Sequence, residues 1–167
     1  MRSSMKALGL VVVSCILAGG SWAGIADSPL PVLVPGVATK HVFSVPGVIK
    51  GGSLDTLFLC TSTSTDTIRI GVEVFGPAGS LQNNVAGGDG AIDVAPGATV
   101  TIGTGLTAGI ATDTFIGALS FVQNGSARIV STSTSILCTA QVVDFVGSPP
   151  ASMTSLPMIK KTTQKGD

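Results

Sequence analysis

Tyrosine is missing from this sequence, and tryptophan, histidine and glutamate occur once each, as Trp22, His41 and Glu73. That scarcity removes most of the usual side chains for acid–base catalysis and for stacking on sugars or bases. Charged residues make up 11% of the chain. Beyond residue 23, seven Lys/Arg face nine Asp/Glu, and three of the basic ones fall in the last eight positions. A mildly acidic body of this kind excludes a nucleic-acid footprint. Cysteine is limited to Cys15, Cys60 and Cys138. The absence of Cys-x-x-Cys argues against a redox motif, and two cysteines with a distant His41 are too few for a zinc site. No run after the first twenty residues is long and apolar enough for a membrane helix. Nothing here implies a cofactor.

What is present begins with a leader pattern. Arg2 and Lys6 precede the apolar run Ala7–Gly20, and Ser21-Trp22-Ala23 forms a small-x-small site before Gly24. This is the layout of a signal peptide spanning residues 1–23, cleaved after Ala23. It implies a bacterial-type exported chain, secreted or held in the periplasm or cell envelope. Val12-Val13-Ser14-Cys15 resembles a lipobox, which would lipidate Cys15, but the apolar run continues through Ile16 and Leu17. Cleavage after Ala23 is the preferred reading. It leaves Cys60 and Cys138 in a compartment where a disulfide persists.

Residues 24–39 carry Pro29, Pro31 and Pro35, which exclude a helix and predict an extended lead-in. Residues 40–147 read as one β domain, and residues 148–167, opening with Pro149-Pro150, as a flexible tail. Thr67–Phe75 alternates: Ile68, Ile70, Val72 and Val74 face a core, while Arg69 and Glu73 face solvent. Further strands are expected at His41–Ile49, Leu54–Thr61, Thr99–Ile102 and Ile136–Phe145. Phe115–Val122 and Ala127–Val130 flank Asn124-Gly125, a strong hairpin signal. Asn83–Gly90 and Gly103–Thr112 are Gly-rich and read as loops. No segment has a 3.6-residue apolar period. The fold class expected is all-β: an antiparallel sandwich of seven to eight strands with one intradomain disulfide. Most of the six phenylalanines belong to its core.

Cys60 and Cys138 sit in apolar strand contexts and would close a loop of nearly eighty residues. If their strands pair antiparallel in register, two polar tracts gather at one end: Thr61, Thr63 and Thr65 with their serines, and Thr132 and Thr134 with theirs. The plain reading is solvent-facing decoration. The sharper one is a surface patch, since Thr61/Thr63/Thr65 and Thr99/Thr101 have the spacing of ice-binding arrays.

Several motifs fall short. Gly87-Gly88-Asp89-Gly90-Ala91-Ile92 is similar to the start of a calcium β-roll repeat, but Ile92 replaces the ligand and the unit occurs once. Asp89 and Asp93 are weak metal candidates, and a flexible turn is the commoner meaning. Asn124-Gly125-Ser126 is formally a glycosylation acceptor as well as a turn. Leu156-Pro157-Met158-Ile159 lacks the rest of a sortase signal. No nucleophile elbow occurs, and His41 has no evident acid partner.

Leu57–Phe75 followed by Val94-Ala95-Pro96-Gly97-Ala98-Thr99-Val100-Thr101-Ile102 resembles the immunoglobulin-like and fibronectin-type-III-like sandwiches of exported bacterial proteins. The core tryptophan and the tyrosine corner of antibody-type domains are absent. That likeness implies a fold, not an activity. The function expected is a non-enzymatic structural or interaction protein whose partner is another protein or an extracellular surface. The alternative is a calcium- or carbohydrate-binding module using the Asn83–Asp93 and Gly103–Asp113 loops. A hydrolase built on Asp89, Asp93 and Asp113 ranks last.

Overall fold

The computed structural model describes residues 24–107, 109–117 and 119–161. The leader and Cys15, which carry the export expectation, lie outside that range.

Ten strands form among the described residues: β1 (Lys40–Lys50), β2 (Leu54–Ser62), β3 (Ile68–Phe75), β4 (Ala91–Val94), β5 (Thr99–Gly103), β6 (Thr114–Phe115), β7 (Val122–Ser131), β8 (Ile136–Asp144), β9 (Met153–Leu156) and β10 (Ile159–Lys160). They make two five-stranded sheets. Sheet I has the order β10-β1-β7-β3-β4, and sheet II the order β6-β5-β2-β8-β9. Every neighbouring pair is antiparallel except β5–β6. The expected β-sandwich is therefore present, with more strands than the sequence suggests.

Alternation builds the core. Val45, Val72, Val74, Ala127 and Ile129 from sheet I meet Phe58, Cys60, Val100, Ile102, Ile136 and Ala140 from sheet II in one buried cluster. Each large aliphatic or aromatic side chain withdrawn this way contributes about 2 kcal/mol. Cys60 lies directly opposite Cys138 in the β2–β8 ladder, and the two are disulfide-bonded with Cα atoms 4.2 Å apart. The bridge joins neighbouring strands of sheet II and does not tie one sheet to the other.

The Ser/Thr tracts turn out to be the crossings between sheets. Ser62 Oγ accepts from the Ser64 amide and Ser64 Oγ from the Asp66 amide. Ser131 Oγ accepts from the Ser133 amide and Ser133 Oγ from the Ser135 amide in the same way. Alternating serines thus supply consecutive side-chain turns. Thr63 N donates to Ser135 O at 2.9 Å, so both crossings stack at one end, as the cysteine register requires. The threonines form no regular array. Thr63, Thr65 and Thr134 are exposed in the turns, Thr132 Oγ1 accepts from the Arg69 amide, and Thr101 is buried.

Four expectations need correction. Asn124-Gly125 is not a hairpin but lies inside β7, paired through Gly125 with Val48. A Cβ on Gly125 would sit 2.9 Å from the Phe75 carbonyl, so glycine serves close packing between strands there. Of Phe115–Val122, only Phe115 and Val122 are strand among the described residues. Residues 148–161 are not a loose tail: β9 pairs with β8, and β10 pairs with β1. Leu156 and Met158 pack on the core between them.

The fourth correction concerns Glu73, expected in solvent. Its side chain is 3% exposed and bonded to Arg128. The outer face of sheet I is covered by the lead-in, whose Leu33 packs with Val85 and Val130 into a second small core. Gly71 leaves the space that Val85 and Leu33 occupy.

Candidate functional site

The two ends of the sandwich differ in character. One holds the serine turns. The other is where β1 passes into β2 through Gly51–Ser53, β5 ends at Gly103, and β8 ends at Asp144, which pairs with Leu54. Loops 104–113 and 116–121 and the segment after β8 leave from this end. Leu106 (68% exposed), Phe121 (64%) and Val146 (69%) sit on them, and Phe115 (50%) on the edge strand β6 between the first two loops. Of the six phenylalanines, Phe43, Phe58 and Phe75 are in the core and Phe145 is half-buried. The expectation that most would be buried therefore fails: Phe115 lies on the edge strand β6 and Phe121 on a loop outside both sheets.

A cleft of about 410 Å³ opens at this tip, floored by Ile49, Gly51, Gly52 and Leu54 and walled by Phe121, Gln123 and Asn124. Local geometry makes it. Gly51 N donates to Leu54 O, and Leu54 N donates back to Gly51 O, closing a tight turn in which Gly52 adopts φ +65°. The Phe121 ring lies against the bare Cα of Gly51, in the space a side chain would need. From the pair Val48/Gly125 to the pair Lys50/Val122, β1 advances two residues and β7 three. This β-bulge inserts one residue at Gln123–Asn124 and brings both amides to the cleft. The Asn-Gly signal was real, but it marks a bulge.

Under the neighbouring loop lies a carboxylate the sequence did not single out. Asp55 is 4% exposed; Thr104 Oγ1 donates to its Oδ1 at 3.2 Å and accepts from Thr56 N at 2.8 Å. Burial raises the Asp55 pKa above its ordinary 3.8, opposed by the Thr104 hydrogen bond and by Lys50. A raised carboxylate pKa costs the fold stability as pH rises from 3.8, reaches its full penalty above the folded value, and costs nothing below 3.8. Asp55→Asn should therefore raise the melting temperature at pH 7, with no advantage left below 3.8. Paired thermal scans across that range test this; an equal gain at both ends would show that charge is not the cause.

The other candidates disperse. Asp89 Oδ1 accepts from Gly117 N at 2.7 Å, linking two loops, while Asp93 Oδ1 pairs with Arg69 at 3.0 Å. Asp113 Oδ2 accepts from Thr101 N on β5. No group of three metal-binding side chains forms among the described residues. The Gly/Asn-rich loop is explained by Asn83, which accepts from Val74 N and donates to Val72 O, taking the place of a strand partner along β3. His41 Nε2 contacts Ser44 Oγ at 3.0 Å, and burial, with Arg128 and Lys161 nearby, lowers its pKa below 6.5.

On the outer face of sheet II, Leu59, Thr61, Thr99, Leu137, Cys138 and Thr139 line a smaller depression of about 270 Å³. Thr61 Oγ1 and Thr99 Oγ1 are bonded to each other at 2.8 Å. Thr63, Thr65 and Thr134 of the expected patch lie apart from this depression, exposed in the serine turns. No helix among the described residues is long and apolar enough to cross a membrane. Compared with protein-family models, curated proteins and solved structures, the chain matches none.

Proposed function

We propose that this chain is an exported, non-enzymatic interaction module that recognises its partner through the loop tip bearing Leu106, Phe115, Phe121 and Val146. One observation carries the reading. In a chain with so few aromatics, Phe121 stands exposed with Leu106 and Val146 on the loops of one end of the sandwich, and Phe115 stands exposed on the edge strand β6 that follows the Leu106 loop. Exposed apolar groups on loops held by a rigid scaffold are a common form of binding surface. An immunoglobulin-like arrangement accords with this. In support, β1, β7 and β3 are neighbours in one sheet and β2, β8 and β9 in the other, two antiparallel-rich sheets such as immunoglobulin-like sandwiches have. Export rests on the leader pattern, with the mature chain starting at Gly24.

The test expresses the chain with its leader and fractionates the cells. Intact mass should give a chain beginning at Gly24, retained with the envelope or extracellular material. A variant carrying Leu106→Ser, Phe115→Ser, Phe121→Ser and Val146→Ser should be exported equally and melt within about 2 °C of the parent, yet lose that retention. Equal retention of both would refute the tip as the recognition surface.

A further inference from the structure

We infer that the tip cleft is a binding site for a neutral saccharide, with Phe121 as its stacking platform and Gln123 and Asn124 as its hydrogen-bonding wall. The inference rests on the tip being the recognition surface and names the ligand class for part of it.

Three features converge. The first is the platform. One side of the Phe121 ring is seated on the Gly51 backbone, yet 64% of the residue stays exposed. A ring fixed in this way offers an apolar face without losing further freedom on binding. Sugars present such a partner in the axial C–H face of a pyranose, and the electron-rich ring face favours it.

The second is the wall. A primary amide carries an acceptor oxygen and two donor hydrogens, which matches vicinal hydroxyls that both donate and accept. Gln123 and Asn124 are consecutive, so in a regular strand they would face opposite ways. The bulge between the pairs Val48/Gly125 and Lys50/Val122 removes that alternation here. Both residues are exposed, and neither side-chain amide has a hydrogen-bond partner among the described residues.

The third is charge. No acidic or basic side chain lines the cleft. A uronate, a phosphate or a polyamine would find no counter-ion among the lining side chains, while an uncharged, hydroxyl-rich ligand needs none. The space over Gly51 is taken by Phe121, but a side chain at Gly52 would meet nothing, so that part of the turn leaves room for a ring beside the platform. A cleft of about 410 Å³ falls within the range typical of small-molecule sites.

The test uses the chain from Gly24 onward, titrated by heteronuclear NMR with cellohexaose, maltohexaose, chitohexaose and laminarihexaose. Polygalacturonate serves as the charged control and indole as the purely aromatic one. At least one neutral oligosaccharide should bind saturably at millimolar concentration or below, shifting the amides of Gly51, Gly52, Leu54, Gln123 and Asn124. Phe121→Ala should weaken that binding at least about tenfold and Phe121→Trp should preserve it, with melting temperatures unchanged. Gln123→Ala should weaken it severalfold.

The assignment is overturned if none of the four sugars binds, if Phe121→Ala binds as the parent does, or if indole or polygalacturonate alone saturates the site. Loss of envelope retention in the four-serine variant, with no sugar binding, would remove the saccharide and keep the tip. Retention insensitive to that variant would remove the broader reading, whatever the sugars do.

Discussion

Replacing Arg128 by methionine should cost the fold about 3–5 kcal/mol and lower its melting temperature by roughly 10 °C. Arg128 lies on the outer face of β7, opposite Glu73 on β3, and is 2% exposed. Its Nε donates to Glu73 Oε2 at 2.7 Å. Nη1 donates to Ser28 O at 2.8 Å and more weakly to Ile25 O at 3.4 Å, while Nη2 donates to Pro29 O at 3.1 Å. The guanidinium also stands 5.4 Å from the centre of the Phe75 ring. Methionine fills much of the same volume but leaves a buried carboxylate and these carbonyls without their donor. Stranding a charge costs far more than a surface ion pair is worth. Arg128→Lys should fall between the two, because an ammonium lacks the planar fork that reaches Glu73 and the lead-in together. The double variant Glu73→Gln/Arg128→Met should be less damaged than Arg128→Met alone, since no unpaired charge remains. A loss below about 1 kcal/mol for Arg128→Met would show that the pair is dispensable.

Arg128 also explains why a Pro-rich segment becomes part of the domain. Residues 25–29 offer backbone carbonyls with few partners of their own kind, and prolines remove donors that would otherwise compete. The guanidinium gathers those carbonyls onto sheet I, and Leu33 then docks against Val85 and Val130. Limited proteolysis should therefore cut Arg128→Met first within residues 24–34, before the sandwich itself opens.

Much of the fold was legible because strand periodicity is local. The alternation of Ile68, Ile70, Val72 and Val74, and the apolar settings of Cys60 and Cys138, each follow from side chains two residues apart. The edges and outer layer were not legible, because they depend on partners distant in sequence. Glu73 looks like a solvent residue until Arg128, fifty-five positions later, and a lead-in a hundred positions before Arg128 close over it. The short strands β9 and β10 have no period to read; register with β8 and β1 makes them. The tip was hidden for a related reason. Asn124-Gly125 carries the same chemistry in a turn and in a bulge, and only pairing with Val48 and Lys50 decides which. Phe121 reads as core in any apolar run, and Gly51 as a mere turn residue. Their contact defines the cleft and leaves no mark in either local sequence.

The second large effect belongs to the disulfide. The variant Cys60→Ala/Cys138→Ala should lose about 4–5 kcal/mol, because the bridge closes a loop with a sequence separation of 78. That loop contains β3 through β7, so without the bridge the unfolded chain regains the freedom of most of the domain. Alanine at position 60 also removes a sulfur from a fully buried core site, which adds to the loss. The two contributions separate experimentally: chemically reduced parent protein keeps the sulfur volume and loses only the link. Reduced parent should therefore be more stable than the double-alanine variant, and both less stable than the oxidised protein in urea titrations. The bridge lies in sheet II and Arg128 on the outer face of sheet I, with no partner in common, so their costs should add. Together they approach the whole stability of an ordinary domain, about 5–15 kcal/mol. A chain lacking both should then fail to accumulate as folded protein at 37 °C, while each single lesion remains soluble. Near-native stability of the combined variant would mean that the sheets are held by their core alone, with neither the staple nor the buried ion pair contributing.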